Sequence, residues 1–185
     1  MIICIRGTHG SGKSALMYEL LRKGNGDPLF GLFGGKRPEA YALSLEAVDR
    51  PVYVLGPYVT ICGGCDAVQP YAEVINLINK YAPLGHVLLE GALISCSFGS
   101  VGEAMARYPG SVMAFMSTPL EICLDRVEAR RKARAESKPF NPKNTIQKHK
   151  AVRNSRRQIA RAGMRAVNLS VEDPLTDVLN LLRGQ

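Results

Sequence analysis

Residues 7 to 14 read Gly7-Thr8-His9-Gly10-Ser11-Gly12-Lys13-Ser14, a complete G-x-x-x-x-G-K-[ST] pattern. The pattern follows a short apolar run, residues 1–5, and precedes residues 15–21, whose apolar positions have helical spacing. In a strand–loop–helix context, the glycines let the backbone curl so that its N–H groups face phosphate oxygens, and the positive end of the helix adds to the attraction. The sequence therefore predicts a phosphate-binding loop from Gly7 to Ala15.

Two side chains of this loop are expected to contact the ligand directly. Lys13 would reach the β- and γ-phosphates, and the Ser14 hydroxyl would bind Mg²⁺. We interpret His9 as a variable loop position rather than as a catalyst. The loop thus predicts that the protein binds a nucleoside triphosphate and Mg²⁺.

Short apolar runs and helical patterns alternate along the chain. Runs at residues 86–91 and 112–116 are typical of buried parallel strands, and residues 165–169 form a further predicted strand. Two β-prone runs, residues 41–45 and 52–55, are predicted as a hairpin or as two adjacent strands. Helical spacing predicts helices near residues 71–81, 98–108, 119–134, 145–162 and 174–182. We therefore predict an α/β fold of the P-loop NTPase type, with a parallel sheet flanked by helices on both faces.

Length and cysteine content favour one intracellular domain. The 185 residues are predicted to form a single domain, 1–185, without an apolar stretch of membrane-spanning length. The five cysteines are odd in number and scattered, which is more typical of the cytoplasm than of a disulfide framework. Cys62-Gly63-Gly64-Cys65 is a C-x-x-C motif, but no second ligand pair has zinc spacing, so we interpret these cysteines as packing residues.

Two carboxylates stand where phosphoryl transfer needs them. Glu90 ends a buried strand, and Asp66 follows a Gly-Gly-Cys turn; both should lie at the carboxyl ends of parallel strands, beside the phosphate loop. Transfer to a hydroxyl needs a carboxylate that orients the acceptor and takes its proton. We favour Asp66 as that base and Glu90 as a Mg²⁺ ligand or acceptor-positioning group, although the two roles could be exchanged. The alternative for each acid is a structural role in helix capping or turn formation.

The distribution of charge indicates a polyanionic ligand. The formal net charge is +8, and 14 of the 24 Lys and Arg residues lie between Arg126 and Arg165 with only two of the 16 acids, so this segment carries +12 and the rest of the chain −4. Arg126, Arg130 and Arg134 recur every four residues and share a helix face. We predict that they form a basic lid over the transferred phosphoryl group, within a lid and substrate-binding segment of about residues 126–162. The absence of an N-K-x-D motif argues against a small GTPase.

Five segments in this order carry a resemblance to a known family. The first is the phosphate loop, and the others are Cys62-Gly63-Gly64-Cys65-Asp66, His86-Val87-Leu88-Leu89-Glu90-Gly91, Thr118-Pro119-Leu120-Glu121-Ile122-Cys123-Leu124 and Lys138-Pro139-Phe140-Asn141-Pro142. Over essentially its whole length the chain resembles the small phage-type P-loop nucleotide kinases, most of all the 5-hydroxymethyluracil DNA kinases of phages that hypermodify their DNA. The resemblance implies ATP- and Mg²⁺-dependent phosphorylation of the hydroxymethyl group of 5-hydroxymethyluracil in DNA, in the host cytoplasm. By the same resemblance, Asp66 and Glu90 match acids of the family pattern, and the Arg126–Arg134 helix matches its lid.

The rest of the basic segment independently favours a polymeric substrate. A kinase for a free nucleotide needs a few arginines, whereas this chain continues with further cations. The residues predicted to bind DNA are Lys138, Lys143, Lys148, Lys150, Arg153 and Arg157. Two alternatives remain open at this point: a kinase of a free (deoxy)nucleotide or other small hydroxyl compound, and a nucleic-acid-binding protein with a vestigial nucleotide site.

Overall fold

The computed structural model describes residues 1–60, 63–135 and 139–185, which form a mixed sheet between two layers of helices. The strands are β1 (Ile2–Arg6), β2 (Asp27–Leu29), β3 (Ala40–Leu43), β4 (Val52–Leu55), β5 (His86–Glu90), β6 (Val112–Met116) and β7 (Arg165–Leu169). The helices are α1 (Lys13–Lys23), α2 (Ala72–Tyr81), α3 (Ala92–Ser95), α4 (Gly99–Ala106), α5 (Leu120–Ala133), α6 (Lys143–Arg161) and α7 (Pro174–Leu182).

The strand order places β1 in the middle of a parallel core. The order is β2-β3-β4-β5-β1-β6-β7, and the five strands from β4 to β7 in this order are parallel. Because β1 pairs with β5 on one side and β6 on the other, every residue of β1 is buried. The register pairs Ile5 with Glu90, so the phosphate loop starts beside the end of β5.

Apolar residues on the two faces of the sheet form two cores. One core contains residues of α1 and α7, among them Leu16, Leu20 and Val178. The other contains residues of α2, α4 and α6, such as Val74 and Ile159. The helices thus cover both faces of the sheet.

The two basic helices differ in how they contact the rest of the protein. Helix α5 buries only Cys123 and Val127, whereas α6 buries Thr145, Val152, Ser155 and Ile159 along one stripe. Most cationic side chains of α6 therefore face solvent, while the helix itself is packed on the sheet. No helix in the described parts of the chain is long and apolar enough to cross a membrane.

The predicted parallel core with helices on both faces is confirmed, and the structure adds an antiparallel edge to it. Strands β3 and β4 form the hairpin that the sequence left as one of two options, and β2 pairs antiparallel with β3 beyond it. Neither β2 nor α3 was predicted. Strand β2 has three residues and contains Pro28, and α3 has only four residues. Both are too short for their apolar residues to show strand or helix periodicity in the sequence.

Candidate active site

The loop between β1 and α1 has a backbone conformation that requires glycine at two positions. Gly10 and Gly12 have φ angles of 78° and 95°, in the left-handed region that other residues rarely adopt. A Cβ atom on Gly10 would lie 2.3 Å from the carbonyl oxygen of Cys123, so α5 packs directly against the loop. Gly12 is the N-cap of α1, and Leu16 donates a hydrogen bond to its carbonyl. The loop therefore directs the N-terminus of α1 into the space above β1.

The ammonium group of Lys13 is held against the same loop. Its Nζ donates hydrogen bonds to the carbonyl oxygens of Gly7 at 2.9 Å and Thr8 at 3.1 Å, and only 7% of the residue is exposed. Burial of a long cation at this depth is unusual unless polar groups satisfy it. The two carbonyls do so and fix the positive charge at the mouth of the loop.

Ser14 and Glu90 connect α1 to the end of β5. The Ser14 hydroxyl donates a hydrogen bond of 2.8 Å to Oε1 of Glu90, which is 2% exposed. Burial raises the pKa of the Glu90 carboxyl above its ordinary value, although Lys13 and the Ser14 hydrogen bond act in the opposite direction. Gly64, with a φ of 88°, approaches this carboxylate so closely that a Cβ atom would lie 2.7 Å from Oε1. The serine hydroxyl and the carboxylate thus place two oxygen atoms that could bind a metal ion close together.

Asp66 lies in a 3₁₀ turn, Cys65–Ala67, and is exposed to the cleft. Its two carboxylate oxygens accept hydrogen bonds from the backbone N–H groups of Ala92 at 2.7 Å and Leu93 at 3.1 Å. Asp66 therefore caps the first turn of α3, directly after Glu90 and Gly91. The carboxylate can serve as a cap and still present lone pairs to the cleft, because each oxygen accepts only one of these bonds.

These side chains surround one cleft of about 550 Å³ at the carboxyl ends of the strands. Its walls include most of the residues predicted from the sequence. They are His9, Gly10, Ser11, Gly12, Lys13, Ser14, Ala15, Asp66, Glu90, Arg126 and Arg130, together with Gly63, Ala67 and Ala92.

Gly7 and Thr8 do not line the cleft but connect the loop to neighbouring helices by hydrogen bonds. The Gly7 N–H donates to the Ser95 hydroxyl at 3.1 Å, and the Thr8 hydroxyl donates to the Thr145 carbonyl at 3.2 Å. The loop is thereby tied to α3 and to the first turn of α6.

The predicted lid arginines occupy two adjoining spaces. Arg126 approaches Gly10, with 3.4 Å between its Nη1 and the Gly10 carbonyl oxygen, and lines the main cleft together with Arg130. Arg134 lines a smaller pocket of about 180 Å³ with Arg130, His9 and Phe140. Helix α5 therefore places a row of guanidinium groups along one side of the loop.

His9 contributes no fixed charge to this row. Burial lowers the pKa of its imidazole, and the neighbouring positive charges of Lys13 and Lys148 lower it further. The imidazole is therefore held neutral between cations. The hydrogen bond from the Thr8 hydroxyl to the Thr145 carbonyl shows that α6 reaches the phosphate loop.

Residues predicted to bind DNA lie on both sides of α6. Lys150, Arg153 and Arg157 line a shallow groove of about 560 Å³ with Arg156. Lys143 is exposed on the first turn, and Lys148 is half-buried beside the phosphate loop. Lys138 lies outside the described residues.

Sequence reasoning missed one residue that supports the whole site, Arg6. It ends β1, is completely buried, and donates hydrogen bonds to the carbonyls of Ile94 at 2.6 Å and Ser97 at 2.5 Å. Its guanidinium also approaches the Ser155 hydroxyl of α6 at 3.4 Å. The one signal in the sequence is a charged residue at the end of an otherwise apolar strand, which does not by itself indicate burial.

The cysteines provide no metal centre among the described residues. Cys4, Cys65, Cys96 and Cys123 are free thiols, and no group of three or more His, Cys, Asp or Glu residues could hold a metal ion in the described ranges. Cys65 is fully buried, and burial raises the pKa of its thiol well above the ordinary value. Cys65 is therefore an inert packing residue, and Cys62 lies outside the described residues.

Curated proteins similar to this chain include three phage proteins, each named 5-hmdU DNA kinase. The protein of Pseudomonas phage PaMx11 is 33% identical over 188 residues, covering 99% of this chain and 97% of its own length. That of Pseudomonas phage M6 is 26% identical over 184 residues, with coverage of 95% and 94%. That of Delftia phage PhiW-14 is 28% identical over 179 residues, which are 88% of this chain and 65% of the phage protein.

The remaining comparisons add little. No protein-family model matches the sequence. A solved structure of deoxyadenosine kinase from M. mycoides with bound dATP aligns with 98% of the chain at 10% identity and a TM-score of 0.49, covering 99% of that protein. So remote a likeness adds nothing to the fold described above.

Proposed function

The chain belongs to the 5-hmdU DNA kinase family, and from this premise we propose that it transfers the γ-phosphoryl group of ATP to the hydroxymethyl group of 5-hydroxymethyluracil in DNA. The product is a phosphoester that activates the modified base for later displacement during phage DNA hypermodification. The observation that carries the proposal is the 33% identity over 99% of the chain to a protein of that name. The convergence of Lys13, Ser14, Asp66 and Glu90 on one cleft supports it.

ATP binding is assigned to the loop from Gly7 to Ala15. The first residues of α1, Lys13 and Ser14, line the cleft, and a helix N-terminus attracts phosphate. The Lys13 ammonium group, now bonded to two loop carbonyls, is within reach of phosphate oxygens that enter the loop. Arg126, Arg130 and Arg134 would then neutralise charge on the phosphoryl group as it moves, because catalysis of this reaction is mostly positioning and electrostatics.

Mg²⁺ is assigned to Ser14 and Glu90. Magnesium prefers oxygen ligands and usually keeps several waters, so a serine hydroxyl and one carboxylate 2.8 Å apart fit its chemistry. Bound there, the ion supplies positive charge to the oxygens of the triphosphate. Glu90 is buried and already bonded to the Ser14 hydroxyl, so the pair is assigned to the ion and the more exposed acid to the acceptor.

Asp66 is assigned as the general base. It is exposed in the cleft, unlike Glu90, and its carboxylate is oriented by the N–H groups of Ala92 and Leu93. The hydroxymethyl oxygen attacks the γ-phosphorus, its proton passes to the Asp66 carboxylate, and the bond between the γ-phosphorus and the β–γ bridging oxygen breaks to release ADP. This division of roles follows from exposure: the accessible acid takes the proton.

The DNA backbone is assigned to the cationic surface of α6. Lys150, Arg153 and Arg157 share a groove, while Lys143 and Lys148 extend the positive surface toward the phosphate loop. Contacts of this kind are independent of base sequence and hold the duplex by counterion release. Lys138 is part of the same proposal from sequence alone.

The direct test is transfer of label from [γ-³²P]ATP to DNA that contains 5-hydroxymethyluracil. Thymine DNA of the same sequence and a panel of free deoxynucleotides serve as matched acceptors. The proposal expects label on the modified DNA alone. Label on a free nucleotide, with no label on either DNA, would show that the protein is a metabolite kinase and contradict the proposal. Tight DNA binding without any labelled product would indicate a vestigial nucleotide site.

A further inference from the structure

A second pocket opens beside the phosphate cleft. It has a volume of about 520 Å³ and is lined by Ala15, Tyr18, Tyr58, Val59 and Thr60; we refer to it as the tyrosine pocket. Ala15, one residue after Ser14, lines both the tyrosine pocket and the main cleft. A group held in the tyrosine pocket is therefore next to the place where the phosphoryl group would be transferred.

The order of strands places the tyrosine pocket on the side where an acceptor must enter. Tyr58 and Thr60 follow β4, whereas Arg126 and Arg130 belong to the helix that follows β6. Glu90 and the phosphate loop lie between these two edges, because the order is β4-β5-β1-β6. In phosphoryl transfer, the attacking and leaving oxygens lie roughly in line on opposite sides of the phosphorus. If the lid covers the leaving ADP, the acceptor approaches from the β4 side.

The walls of the tyrosine pocket suit a nucleobase rather than a phosphate. Among the described residues that line it, no side chain is charged, in contrast to the groove of α6 with its three arginines and one lysine. The rings of Tyr18 and Tyr58 meet edge to face, with centroids 5.5 Å apart, and the Tyr18 hydroxyl bonds to the Thr60 carbonyl. Val59 is 60% exposed at the rim. Aromatic walls and an apolar rim are the groups on which an extruded base stacks.

Tyr18 supplies most of the accessible aromatic surface of the tyrosine pocket, because Tyr18 is partly exposed whereas Tyr58 is 6% exposed. The Tyr58 hydroxyl is buried and has no hydrogen-bond partner among the described residues, so it supports the wall and does not face the pocket.

We propose that the tyrosine pocket receives the target pyrimidine, turned out of the DNA helix, with its ring against Tyr18 and Tyr58 and its 5-substituent directed toward the main cleft. The proposal rests on the proposed function, since it names where that acceptor binds. It also explains how a hydroxymethyl group in a duplex reaches the Asp66 carboxylate in the main cleft, because extrusion removes the base from the stack.

Substitution at the rim tests the pocket without disturbing the core. Val59→Gln adds bulk and polarity at an exposed position, and Leu84→Gln is a matched control because Leu84 is 55% exposed in the turn before β5, at the opposite end of the sheet. We expect Val59→Gln to raise the KM for 5-hydroxymethyluracil DNA about tenfold and to leave the KM for ATP within twofold of wild type. Unchanged KM values for both substrates would overturn the proposal.

Photocrosslinking locates the base without requiring transfer, and so separates this proposal from the proposed function. DNA with 5-iodouracil at the target position carries iodine where the hydroxymethyl group would be, and irradiation crosslinks it to adjacent aromatic side chains. Peptide mapping is expected to find the crosslink on Tyr18 or Tyr58. A crosslink on Phe140 or His149 would place the base under the lid and contradict the proposal, whichever acceptor the kinase assay identifies.

Discussion

The Ser14 hydroxyl at the start of α1 donates a 2.8 Å hydrogen bond to Oε1 of Glu90 at the end of β5, 76 residues further along the chain. The sheet register creates this contact, since Ile5 pairs with Glu90 and the loop that follows β1 brings Ser14 back above the strand ends. The loop and the second acid thus form one unit, and the central proposals about Mg²⁺ and catalysis depend on it.

The first prediction concerns the pH dependence of stability. Burial raises the pKa of Glu90 above its ordinary value of 4.5, so the folded protein retains this proton to higher pH than the unfolded chain. The free energy of unfolding should therefore fall as pH rises above about 4.5 through the raised folded-state pKa. Urea unfolding of the metal-free protein between pH 4.5 and 8 should show a shallower decline for Glu90→Gln than for wild type. Parallel curves would mean that Glu90 does not titrate as a buried group.

The second prediction concerns Lys13. Lys13→Ala removes the ammonium group that the loop carbonyls of Gly7 and Thr8 hold in the cleft, and kcat should fall about 10²-fold or more because a charge aimed at the phosphates is lost. Lys23→Ala, at the exposed end of the same helix, is the matched control and should retain wild-type kcat. The far-ultraviolet circular dichroism spectra of both variants should match that of wild type. A Lys13→Ala enzyme with normal turnover would remove the loop from catalysis.

The third prediction separates two roles of Asp66. Asp66→Asn keeps one oxygen for the N–H groups of Ala92 and Leu93 but cannot take a proton, so kcat should fall about 10²-fold or more while ATP binding changes little. Asp173→Asn is the control, because Asp173 also caps a helix, α7, through a 3.0 Å bond from the Thr176 N–H and lies outside the cleft. If both variants retain a kcat close to that of wild type, Asp66 caps the helix but does not act as the base.

The phosphate loop, the parallel core and the two acids could be predicted because their signals are local. Glycine spacing specifies the loop, and an acid at the end of an apolar strand is expected at the carboxyl edge of a parallel sheet. Capping was one of the roles open to Asp66, but the helix that it caps could not be predicted, because α3 has only four residues and shows no helical periodicity in the sequence.

The burial of Arg6 shows more clearly what could not be predicted from the sequence. A charged residue at a strand end is normally expected to reach solvent. Here the main-chain carbonyls of Ile94 and Ser97 and the side chain of Ser155 surround it, and these groups come together only after α3 and α6 pack against the sheet. No pattern around residue 6 contains that information.

The fourth prediction follows from this burial. Arg6→Met should lower the free energy of unfolding by about 2 kcal/mol or more, because the carbonyls of Ile94 and Ser97 lose a charged donor. Ser155→Ala removes a weaker contact of the same guanidinium, 3.4 Å long, and should cost less. Urea unfolding of both variants and wild type measures the difference. An Arg6→Met protein as stable as wild type would show that the guanidinium contributes no net stability.

The fifth prediction concerns the binding of DNA phosphates by the cationic groove of α6. Replacing Arg153 and Arg157 together by Ala should reduce the slope of log K against log salt concentration by about 2, since each phosphate contact contributes about 0.9. Fluorescence anisotropy with labelled DNA at 50 to 300 mM salt measures the slope. The control is the double variant Arg22→Ala with Lys23→Ala, which removes the same charge from the end of α1 and should leave the slope unchanged. Equal slopes for wild type and the α6 variant would mean that this groove does not contact phosphate.

The most direct measurement is the mass of the nucleotides released from 5-hydroxymethyluracil DNA after incubation with ATP, Mg²⁺ and either wild-type protein or Lys13→Ala. Digestion without phosphatase treatment and tandem mass spectrometry locate the added phosphoryl group within the nucleotide. Wild type is predicted to place one additional phosphoryl group on the 5-hydroxymethyl oxygen, and Lys13→Ala none. A phosphoryl group found only at strand ends, or on no nucleotide at all, would contradict the assignment of this cleft to base phosphorylation.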